Sequence, residues 1–170
     1  MPVKANDNEW LYYVLLIITA VVVSSCCDAS IETYEPKNQV EKEIISVLIQ
    51  YQDAKNHFDI ERFLSLLHDN GEFTFQCGRM VNKAVLKEQF PGFWVDIQSG
   101  NAAVFPIVHE CINGDYYQSG ELNNPQIEIN GDTAEATVLF TNGVCRVDLY
   151  FSMLREKDRW LITRTEWGHS

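Results

Sequence analysis

The 170 residues are 46% hydrophobic and 12% aromatic, enough to build the core of one domain and too much for a disordered chain. The formal net charge of −11 excludes nucleic acid as a partner, because phosphate binding needs clustered Lys and Arg. It also disfavours peripheral contact with anionic lipid, and its plain reading is solubility through self-repulsion.

Trp10–Val23 is an unbroken apolar run. It is short for a membrane span of about 20 residues and right for a signal-peptide core of about 7–15. It ends in Val23-Ser24-Ser25-Cys26, which resembles the lipobox of bacterial lipoproteins: an aliphatic residue, two small ones, then the Cys that is acylated and becomes the new N-terminus. The leading MPVKANDNEW departs from the pattern, with Lys4 set against Asp7 and Glu9 where positive charge is expected. Three readings follow: a lipoprotein anchored at Cys26, an uncleaved N-terminal anchor, or a secreted protein cut after Ala29. The first is preferred, and all three place the domain outside the cytoplasm. Lipidation at Cys26 puts the protein in the cell envelope with the membrane as partner, held by several acyl chains, since one alone binds marginally. On this reading residues 1–25 are the signal peptide, 26–38 a polar tether and 39–170 the domain. Cys26 and Cys27 belong to the processing site. Cys77, Cys111 and Cys145 remain, an odd number that allows at most one internal pair. No Cys/His spacing suggests zinc, and no cofactor is expected.

From Gln39 the apolar residues recur at helical steps: Val40, Ile44, Val47 or Leu48, Tyr51, then Ala54 and Phe58. Asp59 caps a second helix over Ile60–Leu67, which His68-Asp69-Asn70-Gly71 ends. Glu72–Gln76 alternates as a strand, Cys77-Gly78 turns, and Arg79–Val81 pairs back. Asn82 caps a third helix, Lys83–Phe90, which stops at Pro91. Phe93–Gly120 is the least legible part; Ala102–Ile112 reads as helix or loop, with an apolar strand as the alternative. Four strands follow: Gln126–Asn130, Thr133–Thr141 after the Asn130-Gly131-Asp132 turn, Cys145–Arg155, and Arg159–Trp167 after a charged turn at Glu156-Lys157-Asp158.

This order resembles the nuclear transport factor 2 superfamily, which includes SnoaL-like proteins, ketosteroid isomerases and scytalone dehydratase. The similar pieces are Tyr51-x-x-Ala54, Asp59-x-x-x-Phe63-x-x-Leu66, Asn124-Pro125 through Ala136, and Arg159-Trp160-Leu161-Ile162 with Trp167. The resemblance implies an α+β fold, a cystatin-like cone in which N-terminal helices pack inside a curved antiparallel sheet. It also implies a pocket at the open end and an outer sheet face that often makes a homodimer. It does not imply one activity, because the fold serves isomerases, dehydratases and binding modules alike.

An isomerase of this kind needs a carboxylate base, with a Tyr and a protonated Asp as oxyanion donors. Tyr51 matches the Tyr, but Phe75 falls at the base and Phe151 at the acid. Strand alternation points the same way. Val147, Leu149, Phe151 and Met153 share one face; Arg146, Asp148, Tyr150 and Ser152 share the other. On the last strand, Leu161, Thr163, Thr165 and Trp167 oppose Trp160, Ile162, Arg164 and Glu166. With Trp167 inward, the pocket is lined by Tyr51, Phe75, Leu149, Phe151, Met153, Thr163, Thr165 and Trp167. That is an apolar small-molecule site or a filled core. The outer face then carries Arg146, Asp148, Tyr150, Arg164 and Glu166 around Trp160 and Ile162, which suits a homodimer. His57, His68 and His169 have structural readings. His109, beside Glu110 and near Asp115, is the candidate general base. The preferred reading is a non-catalytic, lipid-anchored domain that binds a small apolar ligand or a protein. The alternatives are a SnoaL-like dehydratase or isomerase using His109 with Tyr51 or Asp115, and a structural dimerisation module.

Overall fold

A computed structural model describes residues 28–74, 79–98, 120–142 and 146–168. Helix α1 spans Gln39–Asn56. Asn38 starts it, its side chain accepting the Glu41 N–H at 2.9 Å. Ile44, Leu48, Tyr51 and Ala54 form its buried stripe. It ends where Phe58 turns left-handed at φ 55° and the Asp59 N–H reaches back to the Ala54 carbonyl at 2.8 Å. Asp59 then caps α2, Ile60–Ser65, through the Arg62 N–H. Helix α3 is Lys83–Gln98, capped by Asn82 on the Val85 N–H. It runs through Pro91, the expected stop. Proline removes one N–H from the ladder, and the helix resumes beyond it. No helix among the described residues is long and apolar enough to cross a membrane.

Six strands lie among the described residues: β1 Leu67–Thr74, β2 Met80–Asn82, β3 Glu121–Asn130, β4 Thr133–Thr141, β5 Arg146–Glu156 and β6 Arg159–Trp167. They form one curved sheet in the order β2-β1-β6-β5-β4-β3, with the helices on its inner face. All neighbours are antiparallel except β1 and β6, which are parallel. The protein is therefore α+β, as expected, with one parallel seam.

The expected break at His68–Gly71 lies inside β1. Between the pairs Leu67↔Ile162 and Glu72↔Arg164 the register shifts, so these polar residues bulge from the strand instead of ending it. Gly71 is needed there, because a Cβ would sit 2.7 Å from the Thr163 carbonyl and collide with the Phe73 ring. Both tight hairpins fall where the turn residues placed them. Gly131 is left-handed in the first, and Lys157 and Asp158 are left-handed in the second.

The segment read as a polar tether is packed on the domain from Asp28 onward. Ile31 is 0% exposed. Ser30 bridges Asn123 on the edge of β3. Asn124, left-handed at φ 50°, exchanges two 2.8 Å bonds with Ala29: its N–H donates to the Ala29 carbonyl, and its Oδ1 accepts the Ala29 N–H. Asp28 receives the Arg146 guanidinium on both oxygens, at 2.6 and 3.0 Å. Further along, the Tyr34 hydroxyl donates to the buried Glu41 carboxylate at 2.8 Å. Burial pushes that carboxyl up, but the Lys37 N–H, the Tyr34 hydroxyl and the Lys37 ammonium together hold it below its ordinary 4.5.

Candidate functional site at the Lys55 end of the cone

The stripe that buries α1 continues past Tyr51 to Lys55. Ile44, Leu48, Tyr51 and Lys55 follow one another at steps of four, three and four, the spacing of one helix face. Lys55 is therefore carried into the sheet and left 6% exposed. Its Nζ lies 5.1 Å from the Trp167 ring centre, 5.5 Å from Phe140 and 5.6 Å from Tyr51, within cation–π range of all three. Burial pulls its pKa from 10.5 to about 8, because a desolvated ammonium is disfavoured.

The surrounding rings form a connected wall. Tyr51 meets Phe151 edge-on at 5.0 Å and Phe63 at 5.4 Å. Phe63 stacks on Phe90 of α3 at 5.0 Å, and Phe140 meets Trp167 edge-on at 5.8 Å. Lys55 lines a void on each side. One is closed by Phe73, Thr74, Thr165 and Trp167, the other by Asn56, Gly120, Phe140 and Leu149. Each holds only about 10 Å³, one water at most. Neither of these two voids among the described residues takes more than a water. The rim itself is braced: Asn56 exchanges 3.0 Å bonds with the backbone of Gly120, and Gln52 accepts the Leu122 N–H at 2.6 Å.

The expected lining is brought together in part. Tyr51, Leu149, Phe151 and Thr165 are buried and face inward, and Trp167 closes the rim. Met153 is buried but sits deeper, paired with Ile162, and lines neither void. Thr163 does not face the pocket. Ser152 pairs with Arg164 and Met153 with Ile162, so Thr163 is an extra residue at a bulge, and its hydroxyl donates to the Ser152 carbonyl at 3.0 Å. That bulge shifts the alternation of β6. Trp160 and Ile162, expected on the outer face, are 4% and 0% exposed, while Thr165 and Trp167 still turn inward. Arg164 and Glu166 do sit outside and pair with each other. The Thr165 and Thr74 hydroxyls serve the β1–β6 seam, where Thr74 Oγ1 donates to the Thr165 carbonyl at 2.6 Å. Phe75, His109, Asp115 and Cys26 lie outside the described residues. His57 Nδ1 sits 2.8 Å from the Asp53 carbonyl and His68 pairs with Glu156 at 3.2 Å, both structural contacts.

Lys55 is the site residue that sequence reasoning missed. The available signal was its position: a charge on the apolar stripe, one turn beyond the predicted pocket Tyr.

Helices packed on a curved six-stranded sheet make this a cone-shaped α+β domain. Solved structures of that class superpose on this chain, and it has the nuclear transport factor 2-like fold. An NTF2-like protein from Cytophaga hutchinsonii is similar over 78% of this chain and 99% of its own, with 16% identity and a TM-score of 0.55. An NTF2-like protein of unknown function from Shewanella oneidensis matches 77% of this chain and all of its own, at 11% identity and TM-score 0.57. A cystatin-like protein of unknown function from Nostoc punctiforme matches 78% and 93%, at 13% and 0.56. No family model and no curated protein matches the sequence.

Proposed function

We propose that this chain is a lipid-anchored, extracytoplasmic binding domain that holds a small apolar molecule with an acidic end against Lys55, without catalysis. The observation that carries this is the buried Lys55 ammonium among the Tyr51, Phe140 and Trp167 rings. An apolar lining with a placed charge is the pattern of a small-molecule site, and a ligand with a negative group is drawn to a cation there. The non-catalytic part is supported by Phe151. By order along the chain it falls where the isomerases that the sequence resembles carry an acidic donor; it is 0% exposed and has no proton to give. Anchoring is supported by the Val23-Ser24-Ser25-Cys26 motif after the apolar run.

The test is to purify the full-length protein from its own host's membranes, extract it with organic solvent, and compare the organic acids recovered from wild type and from Lys55→Met. An acid enriched in the wild type and depleted in the variant is expected. Equal recovery from both removes Lys55 from binding. A single acid converted to a product on incubation with the protein overturns the non-catalytic reading.

A further inference from the structure

The N-terminal arm docks at the same end of the sheet as Lys55. Asp28 holds Arg146, the first residue of β5, and Asn124 near the start of β3. Lys55 sits beside Gly120, Phe140 and Trp167, which mark the start of β3, the last part of β4 and the end of β6. The Asn130–Thr133 hairpin and the Glu156–Arg159 turn lie at the opposite end, a strand length away. For β4, Thr133–Thr141, that is about 30 Å.

We infer that the docked arm turns the Lys55 end of the cone to the membrane, so that its ligand is taken from the lipid surface. This rests on the proposed anchorage at Cys26. Were residues 26–38 a free tether, the domain would range about 45 Å from its anchor. Because the arm is fixed from Asp28, the leash from Cys26 is two residues, about 7 Å fully extended. That is short against the roughly 30 Å length of the sheet, so the corner at Asp28 stays at the headgroups. Exposed acids lie at both ends, Glu121 and Asp148 near Lys55 and Asp132 and Glu156 at the far turns, so charge does not choose between the ends; the short leash alone sets which end faces the membrane. An acidic amphiphile lying in the bilayer then has its charged end level with the Lys55 rim. The fold places Lys55, the buried cation among the described residues, where such a molecule arrives.

The test places a photo-crosslinking benzoyl-phenylalanine at Glu121, exposed at the Lys55 end, or at Asp132, exposed at the far end, in the full-length protein in its host's membranes. Intact mass is read first on each protein, followed by lipid adducts after irradiation. A lipidated mass beginning at Cys26, with adducts at Glu121 and none at Asp132, is expected. A lipidated mass with equal adducts at both sites overturns the orientation and leaves the anchor standing. A mass without lipid overturns the anchor and the inference with it. Adducts of Glu121 to a second copy of the chain, in place of lipid, make that end a protein interface and also overturn it. A Gly/Ser insertion of about twenty residues after Cys27 adds about 25 Å of flexible reach and leaves the docked arm intact. It must abolish the bias; a bias that survives it comes from the surface, not from the arm.

Discussion

Replacing Lys55 by Met isolates the effect of burying an ammonium group at the rim of this cone. Met keeps an unbranched stem of similar volume and removes the charge. Lys55 is 6% exposed, and burial holds its pKa at about 8 in place of 10.5. At about 1.4 kcal/mol per pH unit, that difference corresponds to roughly 3 kcal/mol. The sign follows from proton linkage. Below pH 8 both folded and unfolded chains carry the proton, and the folded wild type bears the whole penalty. Between about 8 and 10.5 the folded chain has released a proton that the unfolded chain keeps, so the wild type gains stability as pH rises. Near pH 7 the Met variant therefore has an advantage of up to about 3 kcal/mol from this effect, and the advantage disappears by about pH 10.5. Urea unfolding of both proteins at a series of pH values, followed by circular dichroism, reads the difference directly. Other titrating groups are common to both and cancel. A stability difference that stays constant across this window refutes the buried-cation argument.

Four further outcomes follow from the same contacts. Ile31→Ala leaves a hole where a fully buried side chain was and is expected to cost about 2–5 kcal/mol in urea unfolding; a loss below about 0.5 kcal/mol, typical of surface positions, would mean that the arm does not dock. Glu41→Gln is expected to cost about 1–3 kcal/mol near neutral pH through the Tyr34 and Lys37 contacts. Because the folded carboxyl sits below its ordinary 4.5, that contribution is present above 4.5 and fades as pH falls through the lower folded value, so thermal melts of the two proteins should converge in acid. Deleting Thr163 removes the extra residue and leaves Ile162 and Thr165 two positions apart, on one face of a regular strand; the cooperative thermal transition is expected to survive, and its loss would show that Thr163 is not the residue that shifts the register. Retention of an acidic ligand, followed by mass spectrometry, should weaken as pH rises through about 8, where Lys55 loses its charge.

The parts of this fold that sequence exposed were those where one physical rule acts alone. Strand β5 alternates without interruption, so Leu149, Phe151 and Met153 were placed inward from period two alone. The hairpin turns were legible because left-handed backbone favours Gly, Asn and Asp, and both turns carry them. The misplacements arose where tertiary packing overrode a local rule. One extra residue at Thr163 reverses the phase of β6, and nothing in Trp160–Trp167 marks it, so plain alternation puts Trp160 and Ile162 on the wrong face. His68-Asp69-Asn70-Gly71 carries turn-forming residues, but in the fold they bulge from a strand held on both sides by Leu67 and Phe73. Residues 30–38 look like a tether because Ile31 is their single aliphatic residue, yet that side chain and the Asn124 bulge are enough to dock them. Lys55 is not legible from periodicity, because apolar patterning marks the stripe by its hydrophobic residues and a charge on it carries no such mark. For the site, the aromatic lining was legible and the cation that gives it chemical character was not.

Native mass spectrometry of the full-length protein, released gently from its host's membranes, tests the central proposal most directly. The expected mass begins at Cys26, carries acyl chains, and bears a small acidic molecule lost on activation from the wild type but absent from Lys55→Met. A chain that retains Met1, or a lipidated chain whose small molecule is equally present in the Lys55 variant, would contradict it.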